Sequence, residues 1–488
     1  MSSGIRRGIG SPLLWGMLAA NLLVRLPRLG DPLTLGWQFR YTQTAYTVRS
    51  FMRHGYNPLS VELPIFGPPW HVPLEFPFFQ MCAAALGELL RLDVTVTSRL
   101  TVTLSFLTGA LILHSFVSRS FDRLTADVAV GLYLWTPFGL DWGSQVLIDF
   151  MASTLCLGAL AILWRGLARC DVPPRLLVAF LLLGALGGLT KVTTAVSWLG
   201  VGVPMLLWRF RVSWCMATRT LATSALASAP VVTWTAWSDR VKERSEFTRF
   251  LVSSEMRAFN FGTFEQRLDM ERWRDPFERF TQSVAGYSVL VVLLVAAALL
   301  LSPRRRDVVV LLTIAVSAPL IFFNLYGHDY YPIAVYPAAV IIIAVGVVEV
   351  VRRSPLASGH CATACTLLAV MLVALAAISG NGGERINALR KPPALPQAAE
   401  IQSVTEDNDL LIVVGDDWSS ATLFHSDRRG TMYREVGPRL DPRELGTIYE
   451  FVYWHNTEPF ENWNRYFPPE LRYEWVSEHV LRIFPISD

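Results

Sequence analysis

The sequence predicts an all-α polytopic membrane protein of about eleven transmembrane helices, with a long first exterior loop carrying interfacial helices and a small C-terminal α/β exterior domain. Three observations predict it. Of 488 residues, 52% are hydrophobic and only 17% charged, and mean hydropathy is +0.36; a soluble domain carries about a quarter charged residues. Apolar runs of near-spanning length recur from residue 13 to residue 379. Arginines cluster in alternate short connections, the signature of positive-inside orientation. A net charge of +3 with no basic tract gives no footing for a nucleic-acid partner.

A span needs about 20 apolar residues with few charges. Such segments fall near 13–29, 100–117, 126–140, 148–164, 176–190, 192–208, 217–237, 284–301, 307–324, 331–350 and 361–379. Arg6 and Arg7 precede the first, which shows no small-residue cleavage site and therefore reads as an uncleaved anchor. Arg119 with Arg123, Arg165 with Arg169, Arg209 with Arg211, Arg304 to Arg306, and Arg352 with Arg353 then mark one side. Placing them in the cytoplasm threads eleven spans, with the N-terminus inside and the chain from about 380 outside. The apolar stretch Phe76–Leu90 is short and contains Glu88, so it reads as an interfacial or re-entrant helix.

Two domains follow: a membrane module over 1–379 and an exterior domain over 380–488. The module has exterior loops at 30–99 and 238–283. The second loop mixes Phe247, Phe250, Phe259, Phe261, Phe264, Trp273 and Phe277 with many charges, a composition for amphipathic helices lying on the membrane surface. A loop over 379–397, rich in Gly, Asn and Pro, forms a linker. The run from Asp409 to Gly415 predicts a buried strand, and Glu474 to Phe484 a second. Six cysteines give no disulfide framework, and Cys361 with Cys365 read as core or lipid-facing. No His/Cys cluster has zinc spacing, and there is no Walker loop, dinucleotide fingerprint or strong internal repeat.

Charges near membrane depth are expensive and therefore point to function. In this topology they collect on the exterior side. Asp149 opens the span 148–164, Lys191 sits in a very short turn between two spans, and His328 and Asp329 abut the end of a third, followed by Tyr330 and Tyr331. The first loop adds Asp31, Arg40, Gln43, Glu62, His71 and Glu75. Each also has a structural reading: Asp149 as a helix cap, Lys191 snorkelling to headgroups, the tyrosines as interface aromatics.

The stretch Phe39-Arg-Tyr-Thr-Gln-Thr-Ala45, with Glu75-Phe-Pro-Phe-Phe-Gln80, Asp149, Phe261-Gly-Thr263 with Gln266-Arg267, and His328-Asp-Tyr-Tyr-Pro332, resembles the polyprenyl-phosphate-dependent glycosyltransferases of the GT-C fold. In particular it resembles bacterial relatives of protein O-mannosyltransferases and of the lipid A aminoarabinose transferase. The resemblance covers nearly the whole chain. It implies sugar transfer from a polyprenyl-phosphate donor to a lipid, glycan or protein acceptor, at the periplasmic face of a bacterial inner membrane. One departure stands out: Arg40 to Gln43 contains no carboxylate where many members carry the acidic residue expected as base.

Such a transfer needs a carboxylate to take the acceptor's proton and cations to stabilise the departing phosphate. Glu75, Asp149 and Asp31 are the candidate catalytic carboxylates, Glu75 first because it lies in a resembling motif beside His71. Arg40, Lys191 and His328 are candidate phosphate partners, with Gln43, His71, Asp329, Tyr330 and Tyr331 as further substrate-binding residues. No cofactor is implied, although a carboxylate-rich exterior loop has the chemistry to hold a divalent cation. Two other classes fit the same charges: a lipid-linked sugar transporter or flippase, and a non-catalytic relative that binds lipid-linked sugars.

Overall fold

The computed structural model of the chain describes residues 12–67, 69–354, 392, 395–414, 419–432, 449–453, 471–477 and 479–485. The span expected at 361–379, most of the linker, Cys361 and Cys365 lie outside them. The chain forms two units, each discontinuous in sequence. One comprises Met1–Leu29, Arg99–Thr235 and Arg257–Arg390; the other comprises Gly30–Ser98, Ala236–Met256 and Lys391–Asp488.

The first unit is helical. Helices stand at ten of the eleven expected spans: Pro12–Arg25, Val94–Ser120, Arg123–Trp135, Asp149–Ala168, Pro174–Thr190, a broken Val192–Phe210, Trp214–Lys242, Ser288–Leu301, Arg305–Ile321 and Tyr336–Arg353. Among the described residues, only Val94–Ser120 and Asp149–Ala168 are single helices long and apolar enough to cross a membrane. A third candidate is the pair Met270–Ala285 and Ser288–Leu301, bent by 77°. The other helices are shorter or interrupted, so the count of eleven rests on hydropathy and charge alternation rather than helix length.

Local chemistry explains the boundaries. Asp122 caps Arg123–Trp135 by accepting from the Thr125 N–H, and Thr136 caps the short helix Pro137–Trp142, whose first residue is a proline. Gly286, at φ +79°, makes the turn between the amphipathic helix Met270–Ala285 and Ser288–Leu301, which is apolar after its first residue. The surface character read in 238–283 thus stops where the span begins. Tyr336–Arg353 lies directly on Ser288–Leu301, because a Cβ at Gly346 would stand 2.2 Å from the Leu294 carbonyl oxygen.

The second unit joins first-loop helices to a mixed sheet. Helix Phe78–Leu90 forms where the interfacial helix was expected, and the Thr97 hydroxyl donates to the Ala83 carbonyl at 2.7 Å. The sheet contains β1 (Leu410–Val414), β2 (Arg429–Met432), β3 (Tyr449–Tyr453), β4 (Leu471–Trp475) and β5 (Val480–Pro485), in the order β2-β1-β3-β5-β4. β1 pairs in parallel with β2 and β3, and the remaining pairs are antiparallel. β1 is the strand expected within 409–415. The strand expected over 474–484 is instead part of a hairpin. The Val476 N–H donates to the Val480 carbonyl at 3.0 Å, and β4 and β5 pair on either side.

The β2 edge is covered by the first loop. Gly430 N–H donates to the Pro64 carbonyl at 3.1 Å and Met432 N–H to that of Ile65 at 3.0 Å. Helix Gln38–His54 lies against the short helix Ala421–Ser426. Thr42 shares a hydroxyl hydrogen bond with Ser420 (2.7 Å), and Tyr46 donates to the Arg428 carbonyl (2.8 Å). Arg49 donates to Phe424 O (2.9 Å) and to Asp427 (2.7 Å), and Arg53 grips the same carboxylate at 2.6 Å.

Candidate functional site

In the first unit the spacing of three helix ends brings four predicted residues together. Asp149 is the first residue of its helix, where the helix dipole favours a carboxylate. Lys191 is the one extended residue (φ −157°, ψ 106°) between Pro174–Thr190 and Val192–Ala195. Close helix packing sets its position. A Cβ at Gly187, one turn before Lys191, would stand 2.7 Å from Cys156 Sγ on the Asp149 helix. The glycine therefore lets the two backbones approach, and the ammonium comes to lie beside the carboxylate.

Lys191 Nζ stands 2.6 Å from Asp149 Oδ1, both side chains at most 6% exposed. The contact is poorly angled for a hydrogen bond. Among the described residues, neither Asp149 oxygen accepts one. The ammonium also lies over two stacked rings, 4.6 Å from the Tyr331 centroid and 5.2 Å from that of Tyr330. Desolvated cation–π contacts of this kind contribute about 2 kcal/mol. The tyrosines are held in turn: Trp198 Nε1 donates to the Ala334 carbonyl at 2.6 Å, pinning the short turn Tyr331–Ala334. His328 is half-buried, its ring 6.0 Å from Tyr330 and 5.9 Å from Tyr331. Asp329 turns away to Arg279, at 3.1 Å and half-exposed.

The remaining predicted residues lie in the second unit. Arg40 donates to Gln43 at 2.9 Å, so the segment without a carboxylate is an internally bonded helix face. His71 pairs through its backbone with Glu62, and burial pushes its imidazole below the ordinary histidine range. Glu62 is engaged by His54 (3.1 Å) and Arg429 (2.5 Å). Glu75 is half-buried and makes no ion pair or hydrogen bond with the described residues. Asp31 is half-buried. No metal-holding group of three His, Cys, Asp or Glu residues occurs among the described residues.

Sequence reasoning missed a second buried polar cluster in the first unit. Arg25 donates to Asn21 (2.8 Å) and to the carbonyls of Gly139 (2.8 Å) and Leu140 (3.3 Å), satisfying the end of helix Pro137–Trp142. Asp141 is buried and accepts from Gln145 at 3.3 Å. The available signal was Asn21 and Arg25 at i, i+4 inside the first apolar run.

No protein-family profile and no curated sequence matches the chain. Solved structures do. ArnT from Cupriavidus metallidurans in the apo state superposes with TM-score 0.66 at 14% identity, covering 96% of this chain and 97% of that one. The same protein bound to undecaprenyl phosphate gives 0.63 at 14% identity, with coverages of 97% and 98%. The Archaeoglobus fulgidus oligosaccharyltransferase gives 0.57 at 11%, over 86% of this chain and 64% of that one. The arabinofuranosyltransferase AftD from Mycobacteria gives 0.55 at 15%, over 97% of this chain and 40% of that one. The chain has the fold of these proteins, the GT-C architecture that its sequence layout resembles.

Proposed function

We propose that the chain is a membrane glycosyltransferase that moves a sugar from a polyprenyl-phosphate carrier to an acceptor hydroxyl at the exterior membrane face. The observation that carries this reading is the buried ammonium of Lys191 over the rings of Tyr330 and Tyr331, set by Asp149 at the ends of three helices. Supporting it, one structural neighbour of full-length coverage was captured with undecaprenyl phosphate. A largely apolar cavity of about 300 Å³ also lies between Met270–Ala285, Ser288–Leu301, Arg305–Ile321 and Tyr336–Arg353, and its lining includes Tyr326 and Pro332, the residue after Tyr331. It suits an isoprenoid chain.

In the transfer, the bond between the anomeric carbon and the phosphate oxygen breaks, and the acceptor oxygen forms the new bond. The acceptor's proton goes to a carboxylate, and the polyprenyl phosphate leaves with the electron pair. Lys191 offsets the charge that grows on the phosphate. Glu75, Asp149 and Asp31 are the candidate bases. Asp149 is already paired with Lys191, whereas Glu75 makes no ion pair or hydrogen bond with the described residues. We assign Glu75 as base and Asp149 as the group that holds Lys191.

The test reconstitutes the full chain with a polyprenyl-phosphate sugar and mixed acceptors, with native mass spectrometry of the bound lipid. Glu75→Gln is expected to abolish turnover while donor still binds. Full turnover in Glu75→Gln would remove Glu75 as the base and leave Asp149 and Asp31 as the candidates. A wild-type protein that neither retains polyprenyl phosphate nor turns over would end the transferase reading.

A further inference from the structure

At the other end of the Asp149–Ala168 helix lies a groove of about 590 Å³. Asp149 and Arg165 are sixteen residues apart on one helix, about 24 Å at 1.5 Å per residue, most of a bilayer's hydrocarbon thickness. Arg119, Arg165, Arg169, Arg209 and Arg304 line the groove, with Asp307 the sole acidic group among its lining residues. Asp307 is spent on Arg209 at 2.5 Å. The other four arginines form no ion pair with the described residues, and all four are exposed. Below them the wall is apolar, formed by residues such as Ile112, Gly158, Ala161 and Leu183.

We propose that this groove holds the phosphate of an anionic phospholipid, with its acyl chains along the apolar wall. Guanidinium groups fit phosphate oxygens two at a time, and four uncompensated arginines beside an aliphatic trench match a ligand that is anionic at one end and apolar at the other. A soluble anion would leave the trench empty. A zwitterionic lipid would leave the charge uncompensated. The site shares no residue with the proposed transfer chemistry, so the two readings stand or fall separately.

The experiment places the full chain in nanodiscs with equal parts phosphatidylglycerol and phosphatidylethanolamine, then reads the retained lipids by native mass spectrometry. The wild type is expected to enrich phosphatidylglycerol about tenfold over the bulk. The triple variant R119Q/R165Q/R169Q should fall to the bulk ratio. Ala161→Phe keeps every arginine, and hence the charge that orients the chain, but fills the trench; it should also lose the enrichment. Bulk-ratio retention by the wild type would overturn the proposal. So would undiminished enrichment in Ala161→Phe, which would leave only orientation charge. Displacement of the lipid by millimolar glycerol phosphate would point to a soluble anion and overturn it as well.

Discussion

At the scale of single residues, Lys191 and Asp149 are each tolerable only because of the other. An ammonium and a carboxylate this deep are stable as a pair, and removing one partner leaves an uncompensated buried charge that costs about 3–5 kcal/mol. Asp149→Asn should therefore lower the thermal midpoint in detergent strongly. The double variant with Lys191→Met, which removes both charges at similar volume, should recover much of the loss. An Asp149→Asn protein with the wild-type midpoint would show that the pair carries no such load. In the proposed transfer the same lysine contacts the donor phosphate. A charge-assisted contact to phosphate is worth about 1.5–3 kcal/mol, so Lys191→Met should raise the donor KM by about tenfold to a hundredfold. Steady-state kinetics against donor concentration read this directly, and an unchanged KM would remove Lys191 from the phosphate site.

At the scale of elements, the contact between helix Gln38–His54 and helix Ala421–Ser426 depends on pH. His425, on the second of these helices, lies close enough to Arg49 of the first to feel its charge. Burial, with a smaller push from Arg49, brings its pKa down to about 4, from an ordinary value near 6.5. The unfolded histidine therefore takes up protons before the folded one does. Stability is complete above about pH 6.5 and falls as the pH drops toward 4. Asp427 adds a second loss lower down. Burial opposes its ionisation, but Arg53 and Arg49 outweigh that and hold the carboxyl below its ordinary range. Its contribution is present above the unfolded carboxyl pKa and is lost as the pH falls through the lower folded value. Hydrogen exchange on residues 421–432 at pH 7 and pH 5 should show faster opening at pH 5 in the wild type, and little difference in His425→Phe. Equal acid sensitivity in both would remove His425 as the cause.

Which elements could be read in advance follows from where their information lies. The helices near the expected spans were legible because an apolar run is a property of composition, visible without partners. The strand at Leu410–Val414 was legible for the same reason. The β4–β5 hairpin was not, since its turn near Val476 and Val480 contains none of the glycine, proline or asparagine that announces a reversal. Lys191 was legible as a charge between two apolar runs. Its seat over Tyr330 and Tyr331 was not, because those rings lie about 140 residues away in a turn held by the Trp198–Ala334 hydrogen bond. The role of Arg25 was hidden in another way. Its acceptors are main-chain carbonyls of Gly139 and Leu140, which no side-chain pattern records.

For the whole molecule the decisive matter is orientation, because the proposed chemistry and the proposed lipid groove need opposite membrane faces. The positive-inside alternation puts Arg165 and Arg169 in the cytoplasm and Asp149 and Lys191 outside. Two native cysteines make this testable without new chemistry: Cys170, just beyond Arg169, and Cys215, at the start of Trp214–Lys242, are both free and exposed. In intact cells a membrane-impermeant maleimide should leave both unlabelled, and permeabilisation should expose them. A cysteine placed at Leu59, exposed in the first loop, should react in intact cells. The outcome distinguishes two topologies rather than grading one. If Phe78–Leu90 spans the bilayer, every later connection changes sides, and Cys170 and Cys215 become reactive from outside together. Labelling of both in intact cells would put Asp149 and Lys191 on the cytoplasmic face, where an exterior transferase cannot use them. Protection of both with labelling at position 59 fixes the lysine and its carboxylate on the exterior side.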